Sequence, residues 1–187
     1  MKNILFEKYL IQYCAPTLAS LKTANLFACH GLKEQELFKC VKFWNECFAK
    51  KGVSICILHR NQRFSLIYVY RKNFLERDLR KSGVFRVLQY YGYTNTQIQY
   101  AIERLSERLS DMEDFPHEIG LFLGYPLIDV IGFIKNNGYN YRYVGCWKVY
   151  GNKRGAIRTF TRFDQCSSSY FQMWKEGREL EELVVEI

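Results

Sequence analysis

No run in this 187-residue chain approaches the roughly 18 to 20 apolar residues that a membrane span requires. The opening MKNILFEKYLIQYC has an early lysine and an apolar stretch, but Glu7 and Lys8 interrupt it and argue against a secretory leader. The expectation is a cytoplasmic protein with no membrane contact. There is no Cys-x-x-Cys pair, and the seven cysteines are odd in number and widely spaced, which argues against a disulfide framework. The nearest approach to a zinc set, Cys29-His30 with Cys40 and Cys47, would need a helix to deliver ligands seven apart to a loop. No metal is expected. Reduced thiols behaving as small core hydrophobes are the simpler reading, and they suit a cytosolic address. Also missing are a glycine-rich phosphate loop, a cysteine-hydrolase signature, an internal repeat and a low-complexity tract.

What is present is apolar and aromatic. Apolar residues make up 48% and aromatics 17%, so the chain can bury a core without help from metal or disulfides. The length suits a single domain over 1–187, with 175–187 an acidic tail, docked or frayed. That tail carries a local charge of −3 against a net +8, so the preceding residues carry +11. Two basic clusters stand out. The first is Arg60, Arg63, Arg71, Lys72, Arg77, Arg80, Lys81 and Arg86, opposed only by Glu76 and Asp78. The second, Arg142, Lys148, Lys153, Arg154, Arg158 and Arg162, contains no acid at all. Such clusters attract phosphate, nucleic acid or an acidic protein, though many are only solvated faces.

Periodicity predicts a short amphipathic helix over residues 3 to 13, then a break at Cys14-Ala15-Pro16-Thr17 with a new helix start at Pro16. Ala24 to Cys29 reads as a buried strand. Leu32 to Lys51 reads as a helix with Leu37, Val41, Trp44 and Phe48 on one face, ended by Gly52. Val53 to Leu58 and Phe64 to Tyr70 form a hairpin. Helices follow from Lys72 to about Tyr91, broken at Ser82-Gly83, and from Thr94 or Asn95 to Ser110. Asp114 is placed to cap a helix begun by Phe115 and Pro116 and stopped at Gly124. Pro126 starts another that ends near Gly138, Tyr141 to Tyr150 is a strand, and Asn152 to about Glu176 is a long helix. The class is α+β: a small, largely antiparallel sheet of about four strands covered by six to eight helices.

Candidate chemistry is sparse. His117 and Glu118 fall in the first turn of their predicted helix, where free backbone N–H groups favour anions. His117 is there a candidate ligand or proton carrier, and Glu118 its orienting carboxylate or a charge that offsets the helix dipole. The loop-then-helix form at Cys14 can lower a thiol pKa, so Cys14 with His117 is a candidate nucleophile and base. Lys22 lies within reach of an anion near the same loop. Pro116 to Asn137 has a helix-turn-helix outline, but Asp129, Lys135 and Asn136 are few donors for a helix that must read DNA. Tyrosines and Trp147 near the basic clusters would suit a planar anion such as a flavin, a nucleotide or a porphyrin like haem.

The string CAPTLA at Cys14 to Ala19, with Lys22, Leu26-Phe27, Tyr68-Val69-Tyr70-Arg71, FPHEIGLFLGYP and GCWKVYG, resembles one family. It is similar to the bacterial proteins grouped as domain of unknown function 3793, over about Leu5 to Leu183. In that family Pro often follows YVYR; here Lys72 does. The resemblance implies no reaction. It implies an iron or redox setting, near flavodoxin and ferrous-iron uptake genes. It also marks Cys14, Pro16, Thr17, Lys22, Arg71, His117, Glu118, Tyr125, Trp147 and Lys148 as positions to test. The combined expectation is a binding or accessory protein whose pocket joins the Cys14 loop, the His117 turn and Trp147-Lys148. Thr17, Lys22, Arg71, Tyr125, Trp147 and Lys148 would hold an anionic ligand, or the basic face would dock an acidic flavodoxin-like carrier. An enzyme using Cys14 or His117 is the second reading, and nucleic-acid binding the third.

Overall fold

The computed structural model describes residues 2–111 and 115–186. Helix α1, Ile4–Leu18, begins at Asn3, whose side chain accepts from the backbone N–H groups of Leu5 and Phe6. It does not break at Cys14. Pro16 lies inside its last turn, and the chain stays helical for two residues more. The carbonyls freed at that end find other donors: Pro16 O accepts from the N–H of Leu21 and Lys22, and Arg71 takes those of Thr17 and Leu18. The expected loop before a second helix is thus corrected to one continuous helix.

Strand β1, Ala24–Cys29, leads to helix α2, Glu34–Phe48, which tightens into a 3-10 turn at Ala49–Lys51 and ends on Gly52 with φ +70°. Strands β2, Val53–Arg60, and β3, Ser65–Arg71, follow as the expected hairpin. The sheet order is β1-β3-β2, all antiparallel, with Leu26 opposite Tyr68 and Ile55 opposite Val69. The central strand is covered on both faces. Ile67 and Val69 face a core built from α1, α2 and the C-terminal tail, through Leu10, Trp44, Phe48 and Leu183. Tyr68 and Tyr70 face a second core. That core draws on α3, Lys72–Leu79, α4, Ser82–Tyr90, and α5, Ile98–Ser110. It also draws on α6, Ile119–Phe122, and α7, Leu127–Lys135. The result is a three-stranded sheet between two helical layers, an α+β arrangement with eight α-helices among the described residues.

Two central expectations need correction. The helix predicted from Phe115 is only the single turn α6, because Phe115 and Pro116 are non-helical and His117-Glu118 form a turn before it. Asp114, its predicted cap, lies outside the described residues. The predicted strand Tyr141 to Tyr150 is instead a small separate hairpin, β4, Tyr143–Val144, and β5, Lys148–Val149. Gly145 turns the chain there because any side chain would collide: a Cβ would lie 2.3 Å from Phe160 Cδ2. Helix α8, Lys153–Lys175, closes the fold against the hairpin and α1, and its serine run does not interrupt it. The tail beyond it is docked, with Leu180, Leu183 and Val184 buried. Among the described residues no helix is long and apolar enough to cross a membrane.

Candidate functional site

Three cavities meet around one pair of stacked rings. Tyr125, in the turn between α6 and α7, stacks on Trp147 of the β4–β5 hairpin at 4.7 Å between centroids. The indole is held from behind by Asp129 in the first turn of α7, which accepts its Nε1–H at 2.8 Å. The other carboxylate oxygen of Asp129 accepts the backbone N–H of Tyr150 and of Gly151, each at 2.8 Å. One buried carboxylate therefore fixes the hairpin, the indole and the start of α7 together.

Lys22 reaches the same place from the short segment between α1 and β1. Its side chain is only 9% exposed, and its Nζ lies 5.2 Å from the Tyr125 ring centroid and 6.0 Å from that of Phe163. Among the described residues no carboxylate forms an ion pair with it. Burial lowers its pKa to about 8, against a smaller opposing pull from Cys146 and Cys14. An ammonium so desolvated ordinarily has an anion beside it.

Lys22 opens onto two of the cavities. The larger, about 450 Å³, is polar and is lined by Lys22, Thr23, Asp78, Lys81, Trp147 and the start of α8 at Asn152 and Gly155. The smaller, about 230 Å³, lies between Lys22, Pro16, Asn25, Tyr125, Cys146 and Asp164. A third, about 330 Å³ and mostly apolar, is lined by His117, Tyr125, Phe133, Cys146, Trp147 and Lys148. His117 is exposed there, its ring 4.9 Å from that of Phe133. Lys148 donates to Gly138 O and lies 5.1 Å from the Tyr141 ring centroid.

Of the residues singled out from sequence, Pro16, Lys22, Tyr125, Trp147, Lys148 and His117 therefore border neighbouring cavities. Four do not. Cys14 is fully buried in the first core, and desolvation pushes its thiol well up, away from a nucleophilic thiolate. It borders none of the three cavities, so it and His117 share no hollow. Thr17 is buried and donates its hydroxyl to Asn25 Oδ1 at 2.6 Å. Arg71 spends its guanidinium on backbone carbonyls of Thr17, Leu18, Lys51 and Val185. Glu118 is fully buried, pairs with Arg108 and the Tyr93 hydroxyl rather than with His117, and does not line His117's cavity. Asp129 was legible only as a polar residue on a buried helix, and no local spacing links it to Trp147, 18 positions later.

The two basic clusters differ in how far their charges are paired. In the first, Arg60, Arg77, Arg80 and Lys81 pair with Glu34, Asp78, Glu76 and Asp78, and Arg71 is buried. In the second, Arg154, Arg158 and Arg162 recur every four residues on the exposed side of α8, with no ion pair among the described residues. Those residues also contain no group of three or more His, Cys, Asp or Glu able to hold a metal ion.

The model of the family described as "Protein of unknown function (DUF3793)" matches residues 10–184. No curated protein and no solved structure matches the chain.

Proposed function

This chain belongs to the DUF3793 family, and from that premise we propose that it is a binding or accessory protein for a planar, anionic small molecule. The ligand enters the cleft between Lys22, Tyr125 and Trp147. The observation that carries this reading is Lys22: a nine-tenths buried ammonium with two aromatic rings beside it, open cavity on two sides and no carboxylate partner among the described residues. A ligand anion would supply the missing charge, and the Tyr125–Trp147 stack a flat apolar wall. Flavins, nucleotides and haem are the ligand classes that combine those two features.

Titrating these compounds into the purified protein tests it, read by melting temperature and by quenching of Trp147 fluorescence. At least one is expected to raise the melting point and to quench an emission that Trp147→Phe removes. A panel without shift or quenching overturns the reading.

A second reading has its own observation. The exposed row Arg154, Arg158 and Arg162 suits an acidic protein surface such as that of a flavodoxin-like carrier. Association with such a carrier should weaken steeply with salt and disappear when the three arginines become glutamine. Salt-independent association would remove this support.

A further inference from the structure

We infer that the polar cavity beside Lys22 is a phosphoryl site, so that the ligand is a phosphate ester whose body lies along Trp147. The inference rests on the reading of the cleft given above and names its ligand class.

Four features of the cavity converge. Lys22 presents to it a buried cation with which no carboxylate among the described residues forms an ion pair. Lys81 and Arg77 line it too and add two more positive charges. The first turn of α8, a 23-residue helix, forms a third side through Asn152 and Gly155. The Asn152 side chain caps only the Gly155 N–H, at 2.9 Å, which leaves the backbone donors of Lys153 and Arg154 without a partner inside the described protein. A Cβ on Gly155 would lie 2.8 Å from Asn152 Nδ2, so glycine there leaves room for the capping side chain.

Two carboxylates line the same cavity and must be counted. Asp78 is already engaged by Lys81 at 2.8 Å, by Arg77 at 3.2 Å and by the Thr23 hydroxyl at 2.5 Å. Asp129 accepts three N–H groups, from Trp147, Tyr150 and Gly151. Three cations against two carboxylates leave one positive charge, to which the helix start adds roughly half a charge. That surplus matches the roughly −1.5 to −2 of a phosphate monoester near neutral pH better than the −1 of a carboxylate.

Size argues for an ester over free phosphate. At about 450 Å³ the cavity is far larger than one phosphoryl group. Trp147 and Asp129 border both it and the apolar cavity, so the indole forms a common wall along which a planar body can run from one to the other.

Paired ligands that differ only by the phosphate give the test: FMN against riboflavin and AMP against adenosine, by calorimetry at pH 7. The phosphorylated member of at least one pair is expected to bind about tenfold or more tightly, and inorganic phosphate at millimolar concentration to compete with it. Lys22→Gln is expected to abolish the difference between pair members. Should that variant fold poorly, the wild type carries the same test, since affinity for the phosphorylated member should fall as pH rises above 8 and Lys22 loses its proton. Equal binding of the two members overturns the phosphoryl site while leaving the cleft as a planar-ligand site. Binding of no member of either pair, with no effect of phosphate, overturns the phosphoryl site and tells against the parent reading as well.

Discussion

Asp129 accepts the indole N–H of Trp147 at 2.8 Å, and the bond joins the first turn of α7 to a hairpin with only two residues in each strand. So short a hairpin cannot hold itself in water. Its position depends on this carboxylate, on the two backbone N–H groups the same side chain accepts, and on the packing of its own Val149 with Ala156 and Phe160 of α8. Asp129→Ala leaves three donors without their acceptor. The expected cost is about 3 kcal/mol in urea unfolding, with Trp147 emission shifted to the red as the indole gains water. A variant as stable as the parent with unchanged emission would refute this account of the hairpin.

Lys22 makes stability depend on pH in a direction that can be stated. Burial brings its pKa down from 10.5 to about 8 in the folded chain, whereas the unfolded chain keeps the ordinary value. Between those two pH values the unfolded state binds more protons, so this group's contribution to stability rises with pH across the window. Below pH 8 the cost of burying the charge is present in full, on the order of 3 kcal/mol. Lys22→Met should therefore be more stable than the parent at pH 7, and the gap should close towards pH 10.5. Denaturant midpoints of both proteins over that range check it. A gap that stays constant would mean that the amine is not desolvated.

The seven cysteines should divide sharply in reactivity. Cys146 is exposed on the turn of the hairpin, whereas Cys14 and Cys40 are fully buried and their thiols are held above the ordinary range by desolvation. Brief treatment of the native protein with a maleimide should modify Cys146 first, and Cys14 and Cys40 only after unfolding, as peptide mass mapping would record. Early labelling of Cys14 would reopen its candidacy as a nucleophile.

Arg71 is expected to be a stability residue. Its guanidinium binds carbonyls at the end of α1, in the 3-10 turn after α2 and in the C-terminal tail, at 2.7 Å to Thr17 O and 2.8 Å to Val185 O. Arg71→Met takes the shared donor from those carbonyls, leaving Thr17 O only the Ser20 N–H, and should cost about 3 kcal/mol. Faster hydrogen exchange at the Val185 amide, which donates to Leu18 O, would locate the damage in the tail. Ligand affinity measured on the folded fraction should not change.

Much of the architecture was written in short-range pattern. The β-branched and aromatic runs of β2 and β3 and the 3.6-residue spacing of Leu37, Trp44 and Phe48 locate strands and helix because each answers to neighbours within a few residues. What pattern missed depends on distant partners. The helix runs through Pro16 because Arg71, 54 and 53 residues from Thr17 and Leu18, caps its end. The aromatic run after Tyr141 looked like one strand, since nothing local reveals that Phe160 will press on Gly145. The site divided along the same line. Lys22, Tyr125, Trp147, Lys148 and His117 border adjoining cavities, while Thr17, Arg71 and Glu118 are polar residues whose partners turned out to be the protein itself.

The docking of residues 180–185 carries a consequence for biosynthesis. The first core uses α1 together with Leu180, Leu183 and Val184, which the ribosome adds long after it. A nascent chain stopped near Gly151 has translated the whole sheet but holds Leu18 and Phe48 against solvent, and the guanidinium of Arg71 lacks its tail carbonyl. Final closure of this layer waits until residue 185 has left the exit tunnel, and during that interval the cell must shield an unfinished apolar surface.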